Sequence, residues 1–229
     1  MFHAQVLTLF PDFFTSALSC SIPARAIKSN LVEVEYLQIR DFSTDKHHTV
    51  DDAPYGGGPG MLMKPEPVVA AIRQARTRQP DTHVVMLSPA GVPFAQAKAL
   101  EYANMSSITL LCGRYEGFDE RISQYVDEQL SLGDYVLSGG EPAALCVLDA
   151  VIRLLPGVLG SADSAVLDSF TEEVILDWPH YTRPEVFEGE AVPDVLLSGN
   201  HEKINVWRKQ QAIERSRLRS SLIKKASSF

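Results

Sequence analysis

Two glycine-rich loops constrain what this chain can fold into more than any other feature. Leu111-Cys112-Gly113-Arg114-Tyr115-Glu116-Gly117 ends a short apolar run, and Leu132-Gly133-Asp134-Tyr135-Val136-Leu137-Ser138-Gly139-Gly140-Glu141 follows after only 14 residues. Both stand near the expected carboxyl ends of buried strands. Glycine, having no Cβ, lets a ligand approach bare backbone. Ligands of open α/β sheets bind outside the carboxyl ends of the strands. The pair therefore marks a small-molecule site that presents N–H and C=O groups to a flat ligand.

The rest of the pattern fits such a sheet. Residues 6–10 read as a first strand ended by Pro11, and Pro11-Asp12 as the start of a helix. Val32, Val34 and Tyr36 alternate with Glu33 and Glu35, which predicts a second strand with one polar face. Residues 41–60 read as a long loop. Helices are expected from Pro65 to about residue 76 and over 94–104, with a short one from Asp119. Buried strands are expected over 84–87, stopped by Ser88-Pro89-Ala90-Gly91, and over 108–111, with another at 126–130. Glu141-Pro142 opens an apolar helix running to 155. Strands alternating with helices predict an α/β fold with a mostly parallel sheet. Residues 160–165 are small and polar, a linker composition. Beyond them an aromatic stretch and a helix over 201–218 read as a second, small, mainly helical domain. The expected division is a domain over 1–160, a linker over 161–174 and a helical domain over 175–229.

A chain of 229 residues, 45% apolar and 22% charged, can bury a real core. No apolar run reaches membrane-spanning length, and the first residues lack a signal peptide's basic and apolar regions. A cytoplasmic location is expected. Cys20, Cys112 and Cys146 form no paired motif, so reduced thiols are expected. Cys112 is either a catalytic nucleophile or a small buried residue. The net charge of −8 argues against nucleic acid, but its distribution does not. Residues 203–229 carry +7, leaving −15 for the rest. A basic tail that meets RNA and a solvated helix face balancing an acidic body both fit that asymmetry.

Several chemistries are disfavoured. Gly56-Gly57-Gly58-Pro59-Gly60-Met61-Leu62-Met63-Lys64 is no phosphate loop, because Pro65 replaces the hydroxyl residue that would hold magnesium. The loop is either a tight polar turn or a wall for a planar base. A Rossmann enzyme needs its glycine turn after the first strand, where Leu9-Phe10-Pro11-Asp12 stands instead. Adjacent His47 and His48 match no zinc spacing and read as surface loop residues. Asp168 and Arg153 could act as a base and an electrostatic stabiliser beside the glycine loops. They could equally be a helix N-cap for Thr171 onward and a helix C-terminal dipole partner.

The chain resembles the bacterial tRNA (guanine-N1)-methyltransferases of the TrmD type, in the SPOUT superfamily. The resemblance rests on Leu9-Phe10-Pro11, Thr49-Val50-Asp51-Asp52, Pro54-Tyr55-Gly56-Gly57-Gly58-Pro59-Gly60, Leu87-Ser88-Pro89, both glycine loops, Pro156-Gly157-Val158-Leu159-Gly160, Asp168-Ser169-Phe170, His180-Tyr181-Thr182-Arg183-Pro184 and Leu197-Ser198-Gly199-Asn200-His201, in order along the chain. It implies a SPOUT-type fold with a deep trefoil knot in the first domain. It further implies that S-adenosylmethionine is held by Leu87, Ser88, Pro89, Gly113, Tyr115, Glu116, Leu132, Gly133, Asp134, Tyr135, Val136, Leu137, Gly139 and Gly140.

The substrate so implied is the guanosine at tRNA position 37, methylated on N1, with Asp168 as base and Arg153 as the cation near O6. Asp51, Gly56, Gly60, Lys203, Arg208 and Lys209 are the implied tRNA contacts. A homodimer sharing its active site is also implied, as is magnesium dependence without legible ligands. Two departures stand out: the chain ends at Phe229, which shortens the basic tail, and Pro142 directly follows Glu141. A non-catalytic RNA-binding module with a vestigial nucleotide pocket is the alternative.

Overall fold

Apolar runs and intervening amphipathic segments form a sheet covered on both faces. The computed structural model describes residues 1–160, 168–170 and 176–226, the last three by backbone alone. The chain divides into two compact units, Met1–Gly160 and Ser161–Phe229. The strands in chain order are β1 (Phe2–Thr8), β2 (Val32–Gln38), β3 (Asp51–Asp52), β4 (Leu62–Met63), β5 (His83–Pro93), β6 (Ser107–Leu111), β7 (Glu128–Ser131), β8 (Val186–Phe187) and β9 (Glu190–Ala191). The helices are α1 (Thr15–Leu18), α2 (Ser21–Lys28), α3 (Pro65–Arg78), α4 (Gln96–Ala103), α5 (Glu141–Ile152), α6 (Asp194–Leu197) and α7 (His201–Ala226).

In the first unit, five strands form one sheet in the order β2-β1-β6-β5-β7, and every pairing in it is parallel. The α/β expectation with a mostly parallel sheet holds. Side chains along β5 alternate between the faces, as the two-residue period requires. Val84 and Met86 pack with Val68, Ala71, Ile72 and Ala75 of α3. Val85 and Leu87 belong to the opposite core with Ala144, Val147, Leu148 and Val151 of α5. Those four α5 residues recur at the i, i+3, i+4, i+7 spacing of a single helix face and are fully buried. Each larger one contributes about 1.5–3 kcal/mol of burial before entropy is counted.

Several boundaries differ from the expectation; α5, for one, ends at Ile152 rather than at 155. β1 begins at Phe2, because parallel pairing with β2 starts at Phe2↔Val32. β5 does not end at Leu87. Leu130 of β7 pairs with both Leu87 and Val92, so residues 88–91 leave the ladder and the strand resumes. Helix α7 runs past Leu218 to Ala226, since no glycine or proline interrupts it. The long loop expected over 41–60 contains β3, which pairs antiparallel with β4.

In the second unit, Asn200 accepts a hydrogen bond from Lys203 N and so caps α7. The guanidinium of Arg208 lies 4.8 Å from the Trp178 ring centre. Ile204 and Ala212 are the buried apolar positions of α7. Most of the linker expected over 161–174 lies outside the described residues, as does Thr171, the start of the helix for which Asp168 reads as an N-cap. Among the described residues, no helix is long and apolar enough to cross a membrane.

Candidate active site

The excursion within β5 and the loops at the carboxyl ends of β6 and β7 line a cavity of about 530 Å³. That is within the range of small-ligand pockets. Of the residues expected to hold a methyl donor, all but Asp134 line it. The two glycine loops, which the strand β7 separates in sequence, are joined directly: Gly140 N donates to Gly113 O at 2.9 Å. Gly140 also begins α5, its carbonyl accepting from Ala144 N. A Cβ at Gly140 would lie 2.8 Å from Cys112 Cα and 2.9 Å from Gly113 N, so only glycine lets the loops meet.

The first loop is braced from the other side by β4 and its approach. Glu116 N donates to Met61 O at 2.9 Å, and Met63 N to Gly117 O at 2.8 Å. Tyr115 takes a left-handed backbone, φ 61°, within this brace. Partial burial raises the Tyr115 phenol, the neighbouring Asp51 carboxylate pushes the same way, and Arg40 opposes. Asp51, an expected tRNA contact, thus sits beside a cavity residue. Gly56, Gly57 and Gly58 all have positive φ and open space where a Cβ would stand. Glycine is needed there for backbone shape, not for close approach.

Arg114 and Glu141 escaped the sequence reading. Arg114 lines the cavity, and its Nη1 donates to Ser138 O at 3.2 Å. Its guanidinium lies 4.5 Å from the centre of the exposed Phe10 ring. Glu141 is fully buried at the start of α5 and accepts from the Thr8 hydroxyl at 2.7 Å. Arg114 Nε and Glu141 Oε2 stand 2.9 Å apart, an ion pair whose N–H points off the line of a hydrogen bond. The only available signal was an acid following two glycines at a helix start. Cys112 is also fully buried, and desolvation, with Glu141 nearby, pushes its thiol well up against the smaller pull of Arg114. Of the two readings of Cys112, the small buried residue is the correct one, since nucleophilic cysteine needs an accessible thiolate.

Arg153 is half-buried at the carboxyl end of α5, its amide donating to Asp149 O. Asp168 is half-buried in the second unit. Its neighbour Ser169 donates to Asp177 Oδ1 at 2.9 Å and accepts from Asp177 N at 3.0 Å. The Arg219 guanidinium lies 5.0 Å from the Phe170 ring centre. On α7, Lys203 and Lys209 are exposed, whereas Arg208 is partly covered on Trp178. Among the described residues, no group of three His, Cys, Asp or Glu could hold a metal ion.

The family model described as "tRNA (Guanine-1)-methyltransferase TrmD" matches residues 2–225, across both units. The chain belongs to this family. It is 52% identical over 215 residues to the tRNA (guanine-N(1)-)-methyltransferase of Syntrophotalea carbinolica, covering 94% of this chain and 87% of that one. It is 48% identical to the enzyme of that name from Persephonella marina, over 96% and 87% of the two chains. The Alcanivorax borkumensis relative, of the same name, is 52% identical over 94% and 82%. The matched stretch takes in the cavity loops, Asp168 and nearly all of α7, so membership in the tRNA (guanine-1)-methyltransferase family rests on nearly the whole chain rather than on one loop.

Proposed function

We propose that this protein is a tRNA methyltransferase that moves a methyl group from S-adenosylmethionine to N1 of guanosine at tRNA position 37. The observation that carries this reading is a cavity walled by the two glycine loops in a chain matched by the family model over residues 2–225. The cavity fits the donor chemically. Gly139 and Gly140 leave no room for a Cβ, because Arg114 and the Cys112–Gly113 backbone take that space, so glycine lets the second loop close against the first along the cavity wall. Tyr135 and Leu137, both exposed, are available to cover the apolar parts of a nucleoside.

S-adenosylmethionine, when bound, supplies an electrophilic methyl group on a positively charged sulfur. The remaining chemistry belongs to the chain. N1 of neutral guanine carries a proton, and methylation without its removal would build positive charge on the base. Asp168 takes that proton, and Arg153 stabilises the negative charge spreading toward O6. The loops around Gly113 and Gly140 hold the donor so that N1 can approach the methyl in line. The target base must leave its stack to be reached. Magnesium has no legible site among the described residues, and no step is assigned to it.

The reading extends to a deep trefoil knot that ties the two glycine loops, and to a homodimer sharing the active site. The direct hydrogen bond between the loops supports the first. Exposed Phe10, Phe13, Val136 and Leu137 on the first unit support the second. The exposed lysines of α7 would hold the tRNA backbone. A cytoplasmic location follows from a tRNA substrate. The alternative of a non-catalytic RNA-binding module is not favoured by relatives that carry the name of the methyltransferase.

The deciding experiment incubates the protein with labelled S-adenosylmethionine and unmodified tRNA and maps the modified base. Label on N1 of guanosine 37 is expected; label elsewhere, or none, overturns the reading. Asp168→Ala should lose about 10²–10⁴ in single-turnover rate while retaining donor affinity by calorimetry. Near wild-type turnover in that variant would remove Asp168 as the base. Mixing Asp168→Ala with Gly140→Val should restore part of the activity if the two loci come from different subunits.

A further inference from the structure

Among the described residues, Glu141 is the one acidic side chain that is completely buried, and the proposed chemistry gives it no task. A buried carboxylate is costly unless paired. Its charge is held by three features: the start of α5, the Thr8 hydroxyl at 2.7 Å and Arg114 at 2.9 Å. Arg114 belongs to the first glycine loop yet reaches the second. It donates to Ser138 O, and its guanidinium fills the space that a Cβ at Gly139 would need. The loop–loop bond from Gly140 N to Gly113 O lies directly beside this pair. One charged side chain therefore spans both cavity walls, and one buried counter-charge holds it there.

We infer that Arg114 and Glu141 are positioning residues for the methyl donor, which clasp the 132–140 loop to the 113–117 loop and so set the width of the cavity. The inference rests on the donor-site reading of that cavity. Neither residue touches the reacting atoms in this account. A backbone cradle works only at fixed spacing, because peptide groups cannot adjust to a ligand as flexible side chains do. The clasp supplies that spacing from outside the cradle.

The test uses the full-length protein and three variants, Glu141→Gln, Arg114→Met and Arg114→Lys. Calorimetry with S-adenosylmethionine should show about tenfold weaker binding for the first two, as expected when the preorganisation held by a charge pair is lost. In ligand-free protein, amide exchange at Gly140 should quicken in the same two variants. Donor KM should rise while kcat at saturating donor and the KM for tRNA stay near wild type; a general loss of structure would move all three. Arg114→Lys should recover part of the affinity. The double variant Glu141→Gln with Arg114→Met should be no worse than the worse single variant. Unchanged donor affinity and unchanged Gly140 exchange, or fully additive losses, overturn the inference. Should Glu141→Gln fail to fold, the two Arg114 variants carry the test. Failure of the wild-type protein to bind S-adenosylmethionine would instead defeat the donor-site reading, and the exchange measurement would still report on the clasp.

Discussion

At the scale of single residues, Gly140 is where space is tightest. Its backbone, φ −79°, would accept any residue, so the requirement for glycine is steric alone. Gly140→Val drives side-chain atoms into Cys112 and Gly113 backbone. Overpacking of this kind costs about 1–3 kcal/mol. The variant should unfold at lower urea concentration and show no heat of binding with S-adenosylmethionine; wild-type affinity would mean that this loop is not part of the donor site. The glycine loops were legible because unusual composition is a local signal. Arg114 and Glu141 were not, because their pairing depends on two separate loops meeting in space, which no spacing rule encodes. Asp168 and Arg153 stood out only through resemblance to a family, since an Asp and an Arg in isolation are as often caps as catalysts.

At the scale of elements, the opposite end of the sheet is stitched by charge. Glu128 at the start of β7 accepts from Tyr102 OH at 2.8 Å and His83 Nε2 lies 3.2 Å away. Lys98 of α4 bridges Glu128 at 3.0 Å and Glu101 at 2.8 Å. Burial alone would raise the Glu128 carboxyl, but the bonds from Lys98, Tyr102 and His83 outweigh it and hold it below its usual 4.5. A depressed carboxyl stabilises the fold above its unfolded value and loses that contribution as pH falls through the folded one. Wild-type stability should therefore drop below pH 4.5, and Glu128→Gln should show a flatter profile there. At pH 7 the variant should be less stable by about 1–2 kcal/mol in urea titrations. Equal slopes in acid would exclude Glu128 as a source of the acid sensitivity. The strands were legible here because parallel strands buried on both faces read as unbroken apolar runs. The extent of β5 was not, because Ser88-Pro89-Ala90-Gly91 has turn chemistry and nothing local announces that pairing resumes.

At the scale of the molecule, charge is divided between the two units. The excess of +7 over 203–229 sits on one helix, whereas the rest of the chain carries −15. Lys203 and Lys209 are exposed on it, and Arg208 is drawn onto Trp178. Binding through such lysines releases counterions, so tRNA affinity should fall steeply with salt. Removing both, by Lys203→Ala and Lys209→Ala, should lower the slope of log K against log salt by about 1 per lysine. An unchanged slope in filter-binding measurements would place the tRNA elsewhere. Arg208→Ala should destabilise the second unit more than it alters the slope. The excursion of β5 has a consequence at this scale too. Its two ends, Leu87 and Val92, are both fastened to Leu130, so residues 88–91 hang over the cavity from a shared peg. Gly91 is fixed by its approach to β7, where a Cβ would run into Leu130 N, whereas Ser88, Pro89 and Ala90 stand clear of the ladder and line the cavity. That makes these three residues a short festoon of the wall, where a changed side chain alters what the cavity presents while the sheet beneath stays the same.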